Sequence, residues 1–305
     1  MIEESNTEPE KKVRHIVLSG GTVYGLSIYG AIRELHEKKM WKHEDIKSIY
    51  ATSAGTLMAV IIAMGVEWEI IDIYLTRRPW NKVFKLSMHS LLNSYSNCGI
   101  LGIEAIEDTL KPLFISKDVK PTITLQEFYN RFDIDLHFMT VQLDTFKLID
   151  VSYRTHPYWT VCEAVYASAC APILFKPFMK KGKAYTDGGL IANYPVQQCM
   201  ETIEKDEGII GIYVKNVSND AVEKNNMDLN TEICDNLHDY LQHIVKHLCM
   251  QSNKTHKISN KPTIEIIIPT TIIPINDIYS FANSEDVRRK LIEHGEKCCE
   301  NVKWI

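Results

Sequence analysis

The hydrophobic positions near the start of the chain switch between two periods. Residues 13–18 and 46–51 are short apolar runs, the first interrupted by Arg14 and His15 and closed by Gly20-Gly21; both predict strands. Between them, residues 26–39 bring Leu26, Ile28, Ala31, Ile32 and Leu35 near one face of a helix, and residues 54–64 are apolar enough to predict a buried helix. A strand–helix–strand–helix opening predicts an α/β fold: three α/β/α layers around a mainly parallel central sheet.

The pattern continues with helices over residues 67–76, 102–114 and 124–129, and strands over 135–142 and 147–151 joined by Leu143-Asp144-Thr145-Phe146. From residue 77 to 99 it decays into polar and aromatic positions, long for a structureless loop, so a partly helical or lid-like segment is expected. Thr160 with Glu163 reads as a capping box opening a helix to residue 169. Residues 175–179 and 184–186 flank Lys180-Lys181-Gly182-Lys183, a hairpin signal. Further on come a strand at 209–214, an Asn- and Asp-rich stretch at 217–231 expected to be mobile, a helix at 235–250, a strand at 263–268, and a last helix capped by Ser284 that runs to residue 299. Residues 1–12 offer little to bury and read as a disordered tail; with no repeat and no linker in evidence, residues 13–305 read as one domain.

Composition narrows the function. A net charge of −5 does not suggest a nucleic-acid partner. No apolar run reaches the roughly 18 residues that span a bilayer, and the acidic, polar first residues lack the apolar core of a secretory signal. Eight cysteines without a C-x-x-C pair then predict reduced thiols and an intracellular location. The vicinal Cys298-Cys299 pair reads as a buried helical position.

Three short stretches carry chemistry. In Tyr50-Ala51-Thr52-Ser53-Ala54-Gly55 a serine sits on a sharp strand-to-helix turn; the small residues Ala51 and Gly55 let strand and helix approach, as in the G-x-S-x-G elbow. A helix N-cap serine would look the same taken alone. Ser19-Gly20-Gly21-Thr22-Val23-Tyr24-Gly25 is a Gly-rich turn that presents backbone N–H groups to a phosphate or an oxyanion. Leu26 stands where a phosphate-binding loop needs lysine, so an oxyanion hole fits better. Finally, Asp187 ends a short strand and precedes Gly188 and Gly189, a setting that also suits a plain Asx turn. A nucleophile, a base and backbone donors are the parts that acyl transfer needs.

Together these residues resemble the patatin-like phospholipase family over roughly residues 13–200. Supporting stretches are Asn97-Cys98-Gly99-Ile100-Leu101, Ala167-Ser168-Ala169-Cys170-Ala171-Pro172 and Asn193-Tyr194-Pro195. The resemblance implies a Ser–Asp dyad without histidine, with Ser53 as nucleophile and Asp187 as base. The N–H groups of Gly20, Gly21 and Thr22 would form the oxyanion hole, and Ala51, Gly55, Gly188 and Gly189 would support the turns. It also implies a phospholipid or acyl-lipid substrate met at a membrane surface, and neither cofactor nor metal; an activating protein partner stays open. Two positions depart from the family pattern. Thr22 replaces the usual third glycine with a β-branched residue, and Tyr24 replaces a usual Lys or Arg.

Two rivals follow from the same residues. A Ser-His-Asp esterase would draw on His238, His243, His247, His256 or His294. A lipid-binding or interaction protein on the same scaffold would have lost catalysis through its altered Gly-rich turn. His243 and His247 are four apart but lack the Glu of H-E-x-x-H, so no metal site is expected. Phe84, Leu86, Leu91 and Leu92 are candidates for an acyl channel, and the Lys180–Lys183 loop, flanked by Phe178 and Met179, for contact with an anionic surface.

Overall fold

A computed structural model describes residues 12–85, 98–204, 206–216, 244, 248, 261–270 and 275–302. Its strands are β1 (Val13–Leu18), β2 (Ser48–Thr52), β3 (Asp135–Gln142), β4 (Lys147–Val151), β5 (Phe178–Lys180), β6 (Lys183–Asp187), β7 (Gly208–Asn216) and β8 (Ile264–Thr270). They form one sheet in which β3, β2, β1, β7 and β8 run parallel, while β4 and β6 pair antiparallel with β3. Helices cover both faces, as the alternation of strand and helix predicts.

The registers place three strands around β3. β2 pairs with β3 from Asp135 to Met139, β6 pairs from Thr140 to Gln142, and β4 pairs from Phe138 to Gln142. Since β4 shares Phe138 and Met139 with β2, and Thr140 to Gln142 with β6, it fills one edge of β3. β2 and β6 therefore share the other edge. They arrive from opposite directions and meet end to end, Thr52 beside Met139 and Asp187 beside Thr140.

One face packs the larger core, where Ile16, Ile49 and Phe138 meet α1 (Gly25–Glu37) and α2 (Ala54–Ala63). The other face buries Val17, Tyr50 and Met139 under α8 (Gly189–Ala192) and α9 (Val196–Met200). The intervening helices are α3 (Trp68–Arg77), α4 (Trp80–Val83), α5 (Glu104–Ser116), α6 (Leu125–Phe132) and α7 (Val161–Ala169). Burial also explains the polar residues in β1. His15 is buried and bonds Ser48 through Nδ1 and Glu207 through Nε2, both at 2.8 Å.

Local signals match the chain in most places. Thr160 and Thr124 both close complete capping boxes, with Glu163 and Glu127. The β5–β6 turn places Lys181 and Gly182 at positive φ, the pattern of a primed hairpin turn. The segment after residue 77 holds α4; Leu86, Leu91 and Leu92, the stretch at 217–231 and most of the helix expected at 235–250 lie outside the described residues. The helix expected from residue 102 starts at Glu104 and carries Pro112 inside. Pro112 has no N–H for the Asp108 carbonyl, which instead accepts from the Arg78 guanidinium.

The last helices, α10 (Ile275–Asn283) and α11 (Glu285–Lys297), close the fold. α11 crosses α1 at backbone contact: a Cβ on Gly295 would lie 1.9 Å from the Ser27 carbonyl oxygen, and one on Gly30 2.1 Å from that of Ile292. Ser27 donates to the Leu291 carbonyl at 2.6 Å, and Arg33 of α1 pairs with both Asp72 and Glu296. Cys299 is fully buried just beyond this crossing. Because neither backbone can yield, Gly295→Ala is expected to destabilise the fold by about 1–3 kcal/mol, read as a lower urea midpoint with an unchanged slope.

Candidate active site

Ser53 follows the last residue of β2 and precedes α2. Its backbone is held at φ 53 and ψ −127, outside the regions open to ordinary residues. That strain is opposed on several sides. The Ser53 N–H donates to Ser168 Oγ at 3.0 Å, and Ser168 Oγ donates to the Met139 carbonyl at 2.5 Å. The Ser53 carbonyl accepts from both the N–H and the hydroxyl of Thr56. Ala51 is fully buried beneath the turn, and Gly55 packs so closely that a Cβ would lie 2.6 Å from the Ser19 carbonyl oxygen.

Asp187 comes to the same point along β6. Ser53 Oγ donates to Asp187 Oδ2 at 2.6 Å, and the Gly189 N–H donates to Oδ1 at 2.7 Å. Gly188 lies against β3, where a Cβ would come within 2.1 Å of the Met139 carbonyl oxygen. Burial pushes the Asp187 carboxyl up from its ordinary 3.8 to about 6, against the hydrogen bonds from Ser53 and Gly189 that favour the anion. No imidazole bonds to Ser53 or Asp187 among the described residues. His294 instead lies edge-on to Tyr24, and the other four late histidines are outside the described residues.

The Gly-rich turn lies beside the serine, but its donors are not equivalent. The Gly20 N–H donates to the Asn193 carbonyl at 2.9 Å, so Gly20 does not supply the free donor expected of it. Asn193 of the Asn193-Tyr194-Pro195 stretch thereby anchors the turn, a role not assigned from sequence. The N–H groups of Gly21 and Thr22 have no partner among the described residues. Thr22 has φ 49, in the left-handed region that a β-branched side chain disfavours.

An apolar cavity of about 120 Å³ adjoins the serine. Its lining includes Thr22 and Ser53, Leu57, Met58 and Ile61 of α2, and the aromatic group of Trp80, Phe84 and Phe281, in which Trp80 stacks on Phe84. Ser53 stands at the N-terminus of α2, the positive end of the helix dipole.

Residues 16–200, more than half of the chain, match the model of the patatin-like phospholipase family. The chain belongs to that family. It is similar to an uncharacterised protein, R571, of Acanthamoeba polyphaga mimivirus, with 24% identity over 291 residues covering 94% of this chain and 93% of the relative. A protein of Invertebrate iridescent virus 6 named as a probable lipid hydrolase, 463L, is 23% identical over 188 residues, 61% of this chain and 63% of the relative. Among solved structures, VipD from Legionella pneumophila superposes with a TM-score of 0.46 at 16% identity, covering 93% of this chain and 67% of VipD.

Two outcomes follow from the electrostatics and strain of this family member. The raised Asp187 pKa means that the folded state holds a proton the unfolded chain has released, so Asp187 lowers stability as pH rises from about 4 to about 6. Asp187→Asn is therefore expected to be more stable than wild type by about 2–3 kcal/mol at pH 7, with the gap closing toward pH 4 in chemical denaturation. Thr22→Gly relieves a left-handed β-branched residue and is expected to raise the melting temperature, an effect of about 1 kcal/mol.

Proposed function

We propose that this chain is a serine hydrolase that cleaves carboxylic ester bonds of glycerophospholipids or related acyl lipids through a Ser53–Asp187 dyad. The observation that carries this reading is the 2.6 Å hydrogen bond to a buried carboxylate from the Oγ of Ser53, a residue that lines an apolar cavity. Ser53 Oγ attacks the ester carbonyl while Asp187 Oδ2 takes its proton. Burial makes Asp187 a stronger base than a solvated carboxylate, and the Gly189 N–H keeps its other oxygen in place. The oxyanion rests on the N–H groups of Gly21 and Thr22, with the N-terminus of α2 adding favourable potential.

Asp187 then returns the proton to the departing alcohol or lysolipid. The acyl-enzyme is hydrolysed by water, which Asp187 activates in the same way. The acyl chain lies along α2 in the apolar cavity, where water competes poorly. A serine elbow held at positive φ is difficult to keep without such a use, since the conformation itself costs about 1–3 kcal/mol.

Purified protein treated with a fluorophosphonate probe is expected to be labelled on Ser53. Ser53→Ala and Asp187→Asn should both lose the label and ester turnover. Labelling that survives in Asp187→Asn but fails on loss of a late histidine would replace the dyad with a triad. Folded wild type that takes no label, with or without vesicles, would favour a lipid-binding protein without catalysis. For a soluble ester, kcat/KM should fall on acidification through about pH 6 with unit slope, as Asp187 becomes protonated.

A further inference from the structure

Two hairpin tips extend past the level of Ser53 at the same edge of the sheet. β3 continues for three residues beyond Met139, the partner of Thr52, before the β3–β4 turn; the β5–β6 hairpin flanks it on the edge shared with β2. At about 3.3 Å per residue, Leu143 stands roughly 10 Å beyond the serine level. The Leu143 N–H bonds the Ala184 carbonyl, and Ala184 pairs with Met179. Residues opposite one another share a face, so Leu143 in the turn just after β3, Ala184 of β6 and Met179 of β5 form an apolar row. Met179 is 62% exposed, Phe146 in the adjoining turn 49% and Leu143 40%.

The opposite face of the same hairpin is fully occupied. Phe178 and Tyr185 are buried against Trp159, and Lys180 pairs with Glu163 and lies over the Trp159 ring. Only part of the loop expected to meet a surface is available to one: Phe178 and Lys180 are committed internally. Lys181 and Lys183 remain exposed, and Lys147 at the start of β4 joins them. The one carboxylate in either tip is Asp144.

We infer that these tips dock the protein on an anionic phospholipid surface, with Leu143, Phe146 and Met179 entering the interface and Lys147, Lys181 and Lys183 meeting the headgroups. Three exposed apolar side chains and three exposed lysines share the two tips, Lys147 and Lys183 on the face opposite the apolar row, so a surface met by the tips finds both polarity and charge there. The tips lie at the strand ends that carry Ser53, so docking brings that end of the sheet to lipid; the apolar row itself continues the Met139 face, opposite the face that α2 and the cavity cover. This rests on the lipid-hydrolase reading for its purpose, but its test does not depend on catalysis.

Sedimentation with phosphatidylcholine vesicles, with and without phosphatidylserine, measures the partition coefficient. The Ser53→Ala protein should bind phosphatidylserine vesicles as wild type does, which separates docking from the dyad. Lys181→Gln and Lys183→Gln are each expected to weaken binding about fivefold, and Phe146→Ser with Met179→Ser by about tenfold or more. Turnover of a soluble short-chain ester should stay unchanged in the three tip variants, showing that they fold. Vesicle binding unaffected by these substitutions would overturn the proposal. So would a wild-type dimer in analytical ultracentrifugation that the Phe146→Ser/Met179→Ser protein loses, since the row would then be covered by a second copy.

Discussion

The structure depends on the meeting of β2 and β6 on one edge of β3. Two strands of opposite direction cannot share an edge without ending somewhere, and here they end at adjacent residues, Met139 and Thr140. Everything chemical in the molecule follows from that junction. The chain must leave the sheet sharply at Ser53 and again at Gly188, and the two side chains at the gap, Ser53 and Asp187, have each other as the nearest polar partner. Ser168 stitches the junction from beneath by bonding both sides of it, the Ser53 N–H and the Met139 carbonyl.

The placement of the pair explains its electrostatics. A carboxylate at the solvated end of a strand would sit near its ordinary pKa. Asp187 is covered by the neighbouring segments, so it has lost water and gained only two hydrogen bonds in return. Loss of solvation exceeds those bonds, and the result is a base with a pKa raised toward neutrality. Beside the pair, α2, α4 and α10 supply apolar walls of the cavity that Ser53 lines.

Much of this was legible in the sequence because it depends on local signals. The elbow, the Asp-Gly-Gly turn, the Thr160–Glu163 capping box and the β5–β6 hairpin are each written within a few residues and occur where expected; the Thr124–Glu127 capping box is an equally local signal that the sequence reading missed. What could not be read was set by partners far along the chain. His15 looked like an interruption of β1 because Glu207, which satisfies it, is 192 residues away. Gly20 looked like a free donor because the carbonyl that occupies it belongs to Asn193. Lys180 looked solvated until Glu163 and Trp159 were placed beneath it. In each case the side chain or backbone group was identified correctly, and its partner was not.

The crossing of α11 on α1 has a further meaning in time. α1 carries the Gly-rich turn at its start, and its outer face is matched to a helix 264 residues further along the chain through two glycines that admit no side chain. β1 likewise gains its second neighbour only from β7. During synthesis the serine elbow and Asp187 precede the helix that braces the Gly-rich turn. A nascent chain therefore carries both residues of the dyad before it has the frame that aligns them, and assembly waits for α11.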